Sequence, residues 1–287
     1  MSLSSAATAS FIGEGSRVFQ PWHSFDSAHA QRWIPASSPP EDSAPLTYGK
    51  DTPDLVLATW NIDAGSERAA DRANEIISSI ISTEPKVDIV FLQEVSREAL
   101  EQILSDDRIR QSWFSSEGPV WRIRYPSRFA RDALVCDIFL PGSNESPSDS
   151  PTKPTRLVNV HLDSLPIQPS FRPRQMAIVS SIISDAGSGL VAGDFNPVLE
   201  EDASLVEDNG LVDVWKSLHP QEAGYTLGVD GKKRFPPGRL DKVAMLGLRP
   251  SSITVLEPQI LSTSNLLSWS DHHGLLCYFA PFARRQA

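Results

Sequence analysis

Polar side chains that could do chemistry stand at the end of an apolar run in this sequence. Gly193-Asp194-Phe195-Asn196 follows Leu190-Val191-Ala192, and Pro197 stops a helix from continuing through this point. Side chains two positions apart on a strand share a face, so Asp194 and Asn196 would together offer oxygen ligands, a base and a hydrogen-bond donor. The alternative is an Asx turn that merely closes the strand. The tetrapeptide alone leaves both interpretations open.

The same arrangement recurs along the chain. Candidates at or beside the ends of apolar runs are, in order, Asn61, Glu94, His161, Asp194 with Asn196, Asp241, and Asp271 with His272. Strand ends on one rim of a sheet lie close together, so the series predicts a single site. For His161, and for Asp213 after another apolar run, a purely structural role is an equal alternative.

These residue types indicate a particular chemistry. Carboxylates and amides without cysteine favour a hard cation, Mg²⁺ or alternatively Mn²⁺, held by one or two carboxylates, waters and a substrate phosphate. A histidine beside an aspartate can be held in one tautomer and can carry a proton. Together they suit metal-assisted attack of water on a phosphodiester.

Strands alternating with helices must position these residues. Apolar runs predict strands, and residues at helical spacing after Ser66 predict a helix with one face on a sheet. A second, short helix is predicted after Ser96 and a third over about 172–185. Predicted strands cover 55–60, 87–92, 133–140, 157–162 and 253–256. This alternation predicts a layered α/β (α+β) fold.

Composition limits the classes of function. The net charge of −10 excludes a general polyanion binder, so nucleic acid would need a local basic patch. The best candidate lies at 121–131, where arginines could take phosphates and aromatic rings could stack on bases. The alternative, a solvated loop whose aromatic rings anchor in the core, is favoured for this stretch taken alone. Its residues are Trp121, Arg122, Arg124, Tyr125, Arg128, Phe129 and Arg131.

The chain divides into an arm and one domain. Residues 1–53 are rich in Pro and Ser and lack sustained periodicity, so we expect a mostly irregular arm, part of which lies on the domain, with 54–283 as the folded domain. A wholly disordered tail is an equal alternative for 1–53. Cys136 and Cys277 lie in apolar runs and are predicted to be buried, reduced thiols, which fits an intracellular compartment. No apolar run is long enough for a membrane span, and a signal peptide is not expected.

Four of the motifs resemble those of the endonuclease/exonuclease/phosphatase superfamily. They are Thr59-Trp60-Asn61, Gln93-Glu94, Gly193-Asp194-Phe195-Asn196 and Ser270-Asp271-His272, and their order fits over residues 55–280. Finer features resemble the tyrosyl-DNA phosphodiesterase 2 (TDP2) branch. These are His161-Leu162-Asp163-Ser164, Leu211-Val212-Asp213-Val214-Trp215, Gly224-Tyr225-Thr226, Arg239-Leu240-Asp241-Lys242 and the run from Asp271 to Cys277.

The resemblance implies a fold and residue roles. The fold would be a four-layer α/β/β/α sandwich of the DNase I-like type. Glu94 would be the Mg²⁺ ligand, with Asp271 as a further acid on the metal side, and Arg131, Arg128 and Tyr225 would bind substrate. Asp194 would activate water, and His272, oriented by Asp241, would stabilise the transition state. Phosphate contacts would come from Asn196, His161 and Asn61, the last alternatively in the metal's ligand shell.

The resemblance also implies an activity. It is the hydrolysis of the bond between a tyrosine and a DNA 5′-phosphate, at DNA ends with a single-stranded overhang, in DNA repair. We expect a monomer in the nucleus, or alternatively the cytoplasm. The alternatives are another superfamily activity, on abasic DNA, RNA 3′ ends or phosphoinositides, and a catalytically impaired relative that only binds.

Three departures from the branch concern substrate and scaffold. Val198 stands where the branch has an arginine, and Leu227 stands where an aromatic residue is expected. Both positions belong to the branch's DNA-binding surface. One strand pair between residues 112 and 132 is predicted to be missing, which would expose sheet edges.

Overall fold

A computed structural model describes residues 17–20, 23–36, 55–115, 120–140, 154–264 and 266–280. The strands are β1 (Arg17–Gln20), β2 (His23–Asp26), β3 (Arg32–Pro35), β4 (Leu55–Asn61), β5 (Ile89–Gln93), β6 (Val120–Arg124), β7 (Asp132–Ile138), β8 (Thr155–His161), β9 (Gly189–Asp194), β10 (Val212–Asp213), β11 (Asp241–Leu246), β12 (Pro250–Leu256) and β13 (Gly274–Phe279). The α-helices are α1 (Ala69–Ile81), α2 (Arg97–Ser105), α3 (Asp107–Ser112), α4 (Arg172–Ala186) and α5 (Val214–Leu218).

Two sheets carry the domain. The first has the order β1-β6-β7-β8-β9-β11-β10, and the second has the order β12-β13-β4-β5. Each contains one parallel pair with a helix in its connection, β8-α4-β9 in the first sheet and β4-α1-β5 in the second. Parallel neighbours end at the same edge, so the candidates that close these four strands are brought to one rim.

The core has three layers of packing, as alternation along the strands requires. Leu57 of β4 faces Leu157 and Leu190 between the two sheets, whereas the next residue, Ala58, faces α1. On the outer side of the first sheet, Met176 and its neighbours on α4 pack against strands β8 and β9. The predicted four-layer α/β/β/α sandwich is therefore confirmed.

Part of the arm at residues 1–53 lies on the domain. Strand β1 pairs antiparallel with β6 at the edge of the first sheet, and β2 and β3 form a hairpin. This hairpin rests near α3, because His23 exchanges backbone hydrogen bonds with Ser115 and the guanidinium of Arg110 lies 4.6 Å above the ring of Phe25. Residues 1–16, 21–22 and 37–53 of the arm lie outside the described residues.

Residues 121–124 belong to strand β6 rather than to a loop, and Tyr125 follows the strand directly. Trp121, Ile123 and Tyr125 are buried while Arg122 and Arg124 are exposed, the period of two that a half-buried strand requires. Its aromatic rings therefore belong to the core and are not free to stack on bases.

Among the described residues, β5 is an edge strand of the second sheet. The described residues between 112 and 132 contain one strand, β6. The loss of a strand pair relative to the branch stays a prediction. The side-chain amide of Asn159 gives the end of β5 two hydrogen-bond partners. Its Nδ2 donates to the Leu92 carbonyl at 3.2 Å, and its Oδ1 accepts from Gln93 Nε2 at 2.8 Å. Both cysteines are buried and free, as predicted.

None of the helices in the described part of the chain has the length and apolarity needed to cross a bilayer.

Gly193 in β9 has no room for a side chain. Its φ is +135°, and a Cβ would lie 2.0 Å from the backbone carbonyl oxygen of Val160. Gly210 also has a positive φ, +70°, but faces open space. We expect Gly193→Ala to lower the free energy of unfolding by at least about 3 kcal/mol, because clash adds to backbone strain, and Gly210→Ala by about 1–2 kcal/mol. Chemical denaturation checks both; equal losses would contradict this packing.

Candidate active site

Asn61 and Asp194 join the two sheets at the rim. Asn61 closes β4 in the second sheet and Asp194 closes β9 in the first, and both are about 1% exposed. The side-chain amide of Asn61 donates to Asp194 Oδ2 at 3.1 Å and to Glu94 Oε1 at 3.2 Å. A carboxamide thus holds two carboxylates from different sheets.

The backbone changes direction directly after the strands. Glu94 follows β5 with φ +53°, and Asn196 follows β9 with φ +46°. Left-handed backbone costs a residue with a Cβ about 1–2 kcal/mol, so the surrounding contacts must hold these residues in place. One such contact is the bond from Asn196 N to Asp194 Oδ1 at 3.0 Å. The turn is therefore an Asx turn and part of the site, and Asn196 does not continue the strand face as alternation predicted.

Asp241 and His272 form a buried pair opposite Asp194. Asp241 opens β11 and lies in register with Asp194 on β9. Its Oδ2 is 2.8 Å from Nδ1 of His272, whose Nε2 lies 3.9 Å from Asp194 Oδ2. The imidazole therefore has a carboxylate on each side.

Backbone contacts fix this pair. The hydroxyl of Thr226 accepts from the amide of Asp241 at 3.0 Å, and the indole of Trp60 donates to the His272 carbonyl at 2.9 Å. Ser270 accepts from the His272 amide at 3.1 Å and donates to the Asn61 carbonyl at 2.6 Å. Loop 270–273 is thus tied to β4.

His161 faces the same carboxylates from β8. Its Nε2 is buried without a hydrogen-bond partner, 3.4 Å from Asp194 Oδ2 and 3.8 Å from Glu94 Oε1. Its Nδ1 is held by Nη1 of Arg131. The structure therefore brings His161 into the site, next to Asp194.

Charge is distributed unevenly over these groups. Burial by itself would lower the pKa of His272, but the paired Asp241, with Asp194 and Asp271, raises it to about 10, so the imidazole is protonated at neutral pH. Burial lowers the pKa of His161 to about 4, since Arg131 and His272 offset much of the opposing effect of Asp194, so this ring is neutral. Burial and the nearby Asp241 raise the pKa of Asp194.

The donor set fits a hard cation at Glu94. The Glu94 side chain is 32% exposed at the open side of the rim, where a metal could keep waters and reach a phosphate. Asp194, Asp241 and His272 also place ligand atoms within 4.8 Å of one another. That trio is buried, and Asp241 Oδ2 is already paired with His272 Nδ1, so it suits proton transfer better than Mg²⁺ binding.

Asp271, expected as a further metal-side acid, is engaged elsewhere. Its Oδ2 accepts from Lys233 Nζ at 2.7 Å, and among the described residues it belongs to no cluster of three potential ligands. A metal role for Asp271 would require this ion pair to open.

The predicted substrate-binding residues have different surroundings. Arg128 donates to the carbonyls of Ile167, Gln168 and Pro169 and stacks over Phe171, so its guanidinium braces a loop. Tyr225 is 47% exposed beside the buried Thr226. Arg131 contacts His161 rather than projecting into solvent.

Asp213 has a structural role, which the sequence left as an equal alternative to a role in the site. It caps α5 by accepting from Lys216 N at 3.2 Å, and it binds both terminal nitrogens of Arg239 at 2.7 and 2.9 Å.

Sequence reasoning assigned no role to Thr226, Ser270, Trp60 or Lys233. The first three lie inside motifs already quoted, so motif membership was the available signal. Lys233 is in a basic loop with no such signal, and only the fold brings it to Asp271.

The sequence profile of the Endonuclease/Exonuclease/phosphatase family matches residues 58–272. This span contains every residue of the site described above. The chain belongs to that family. It is accordingly a metal-dependent hydrolase of the phosphodiesterase and nuclease class. No curated protein matches the sequence significantly.

Solved structures similar to this family member include three of TDP2. D. rerio TDP2 complexed with single strand DNA product is 20% identical, with a TM-score of 0.57, over 79% of this chain and 99% of that one. A D. rerio TDP2 humanized by 14 mutations is 21% identical, with a TM-score of 0.59, over 79% and 99%. Truncated Caenorhabditis elegans TDP2 is 20% identical, with a TM-score of 0.56, over 79% and 97%. At these identities the likeness establishes the fold.

The raised pKa of His272 has a measurable consequence for stability. A group whose folded pKa lies above its unfolded value stabilises the fold fully below about pH 6.5 and loses that contribution as pH rises toward about 10. Asp241→Asn removes the negative charge that contributes most to raising the pKa of His272. We therefore expect the difference in unfolding free energy between wild type and Asp241→Asn, measured in EDTA, to shrink from pH 6.5 to 10. Parallel stability curves would contradict the ion pair.

Proposed function

We propose that this protein is a Mg²⁺-dependent phosphodiesterase that hydrolyses the 5′-tyrosyl phosphodiester at DNA ends, a DNA repair reaction. The observation that carries the proposal is the set of buried groups around Asp194: a carboxylate between a protonated and a neutral histidine, beside an exposed acid. Such a set can activate water and stabilise a charged phosphorus centre in the same place.

Asp194 is the residue that activates water. Burial and Asp241 raise the pKa of its carboxyl, which makes it a better base than an exposed aspartate. Water adds to phosphorus, its proton passes to Asp194, and the bond from phosphorus to the tyrosyl oxygen breaks. The bond from Asn61 fixes the carboxylate so that one lone pair stays directed at the water.

His272, His161 and Asn196 stabilise the charge that develops on phosphorus. His272 is cationic through Asp241, so its Nε2 can donate to a phosphoryl oxygen. The unpartnered Nε2 of His161 provides a second donor. The side-chain amide of Asn196 provides a third, because Nδ2 carries two hydrogens and the structure gives it one partner, the Leu162 carbonyl at 3.4 Å. Preorganised donors of this kind each contribute about 10²–10³ in rate.

Glu94, with Asn61 beside it, is the residue we assign to the metal. A divalent cation bound there would neutralise charge on the phosphate oxygens. Mg²⁺ is favoured over softer ions because the donors are oxygens, and Mn²⁺ is the alternative.

DNA as substrate rests on likeness to TDP2. One D. rerio TDP2 structure holds a single strand DNA product. On this chain, Tyr225 is exposed next to the buried Thr226, and Lys233 of a basic loop contacts Asp271, the residue before His272. Val198 is 39% exposed, so contacts to the strand at this position differ from those of the branch, whereas Leu227 is buried and does not belong to the surface. A DNA-end substrate would place the protein in the nucleus.

The first test is turnover. A single-stranded oligonucleotide with a 5′-tyrosyl group should release tyrosine with Mg²⁺ and not with EDTA. Asp194→Asn should lower kcat by about 10²–10⁴ while oligonucleotide binding is retained, because only the base is lost. Asp185→Asn, on the exposed side of α4, is the matched control and should behave as wild type.

A folded protein without metal-dependent tyrosine release would refute the proposed substrate. Hydrolysis of abasic DNA, RNA 3′ ends or phosphoinositides, measured next, would then identify another activity of the family. Oligonucleotide binding without turnover on any of them would indicate an impaired relative that only binds.

The second test is metal binding. At about 100 times its Kd, Mg²⁺ should stabilise the fold by about 2.7 kcal/mol, seen as a rise in Tm. Glu94→Gln should abolish this rise, whereas Glu101→Gln, an exposed acid on α2, should keep it. If Mg²⁺ raised the Tm of Glu94→Gln as much as that of wild type, Glu94 would not be the metal ligand.

A further inference from the structure

Arg131 and His161 meet at a nitrogen whose proton can be assigned. Nη1 of Arg131 lies within hydrogen-bonding distance of Nδ1 of His161. A guanidinium carries donors only and stays protonated in proteins. Nδ1 must therefore accept, and the ring hydrogen of the neutral imidazole lies on Nε2.

The protonated Nε2 points into the site. It is buried, has no hydrogen-bond partner, and lies 3.4 Å from Asp194 Oδ2 and 3.8 Å from Glu94 Oε1. The whole side chain is 9% exposed. A buried N–H without a partner is costly, so the geometry suits a donor that waits for an oxygen of the substrate.

A built network holds Arg131 in this position. Its Nη2 donates to Ser164 Oγ at 3.4 Å, and its backbone N donates to Ser127 Oγ at 3.0 Å. Ser127 in turn bonds to Asp163, which accepts from Gln175 Nε2 at 2.9 Å. The arginine is therefore placed by the same turn that follows His161.

Tyr125 fixes the spacing of the two partners. Its buried hydroxyl lies 3.3 Å from the carbonyl oxygen of His161 and 3.1 Å from that of Asp132, the residue after Arg131. The contact between the arginine and the imidazole thus depends on core packing and not on a mobile surface side chain.

We propose that Arg131 is a positioning residue that locks His161 in the Nε2–H tautomer, so that His161 donates to a phosphoryl oxygen of the substrate. This inference rests on the proposed function and changes the role of Arg131 from the DNA contact expected from sequence. Without the guanidinium, Nδ1 could carry the proton, and Nε2 would present a lone pair to the carboxylates and the phosphate.

The first experiment reads the tautomer directly and needs no substrate. Long-range ¹H–¹⁵N correlation spectra of protein labelled with ¹⁵N-histidine, at neutral pH in EDTA, distinguish a protonated from an unprotonated ring nitrogen, and His161→Gln identifies the His161 signals. We expect protonated Nε2 and unprotonated Nδ1 in wild type. A wild-type spectrum with the proton of His161 on Nδ1 would overturn the inference, even if the arginine variants failed to fold.

The second experiment uses a matched pair of variants. Arg131→Met should shift His161 toward the other tautomer, whereas Arg128→Met, which removes a guanidinium bound only to loop carbonyls and an aromatic ring, should leave it unchanged. With bis(4-nitrophenyl) phosphate, which has no nucleic acid strand to bind, Arg131→Met should lower kcat by about 10–100-fold. In the His161→Gln background the same change should have little further effect.

Two outcomes separate the alternatives. If Arg131→Met keeps the tautomer and the kcat for the small substrate but weakens oligonucleotide binding with a smaller salt dependence, Arg131 is a strand contact and the inference is wrong. If the tautomer is as expected and no phosphodiester is hydrolysed, the proposed function fails while the arginine still sets the tautomer.

Discussion

The structure depends on one buried carboxylate, that of Asp194. It lies where the two sheets meet, so an uncompensated charge there would destabilise the whole sandwich. Asn61 from the second sheet, the backbone amide of Asn196 and the protonated His272 together offset its loss of water. The sharp turn after β9, the His272 that pairs with Asp241 and the end of β4 each place a partner next to this group.

Much of the framework follows from local sequence. Apolar runs of strand length, with helical spacing between them, gave the strands and helices of both parallel pairs, and parallel pairs bring their ends together. The meeting of these strand ends at one rim was therefore predictable from the sequence. The strands of the arm could not be predicted in this way. Strand β1 pairs with β6, about a hundred positions later, and a short strand that depends on a distant partner shows no recognisable periodicity of its own. In β6 the sequence alternates aromatic residues with arginines, which is the pattern of a half-buried strand. The positive charge of the arginines instead suggested a nucleic-acid surface.

Side-chain partners were the least predictable level. Arg131 is 30 residues from His161, and Lys233 is 38 residues from Asp271. Neither pair could be recognised before the fold placed them, and both change what a charged residue near the site is expected to do. The left-handed backbone of Glu94 and Asn196 likewise reflects tertiary contacts rather than residue preference. Family membership indicates the class of chemistry, while the exposed Val198 changes the surface on which a substrate strand would lie.

The stereochemical course at phosphorus tests the central claim most directly. A 5′-tyrosyl oligonucleotide with a chiral phosphorothioate at the scissile linkage, hydrolysed once in H₂¹⁸O, gives a thiophosphate whose configuration can be determined. Direct attack by water activated at Asp194 predicts inversion, with one ¹⁸O in the thiophosphate and none in the tyrosine. Retention would indicate a covalent enzyme intermediate and would contradict the role assigned to Asp194.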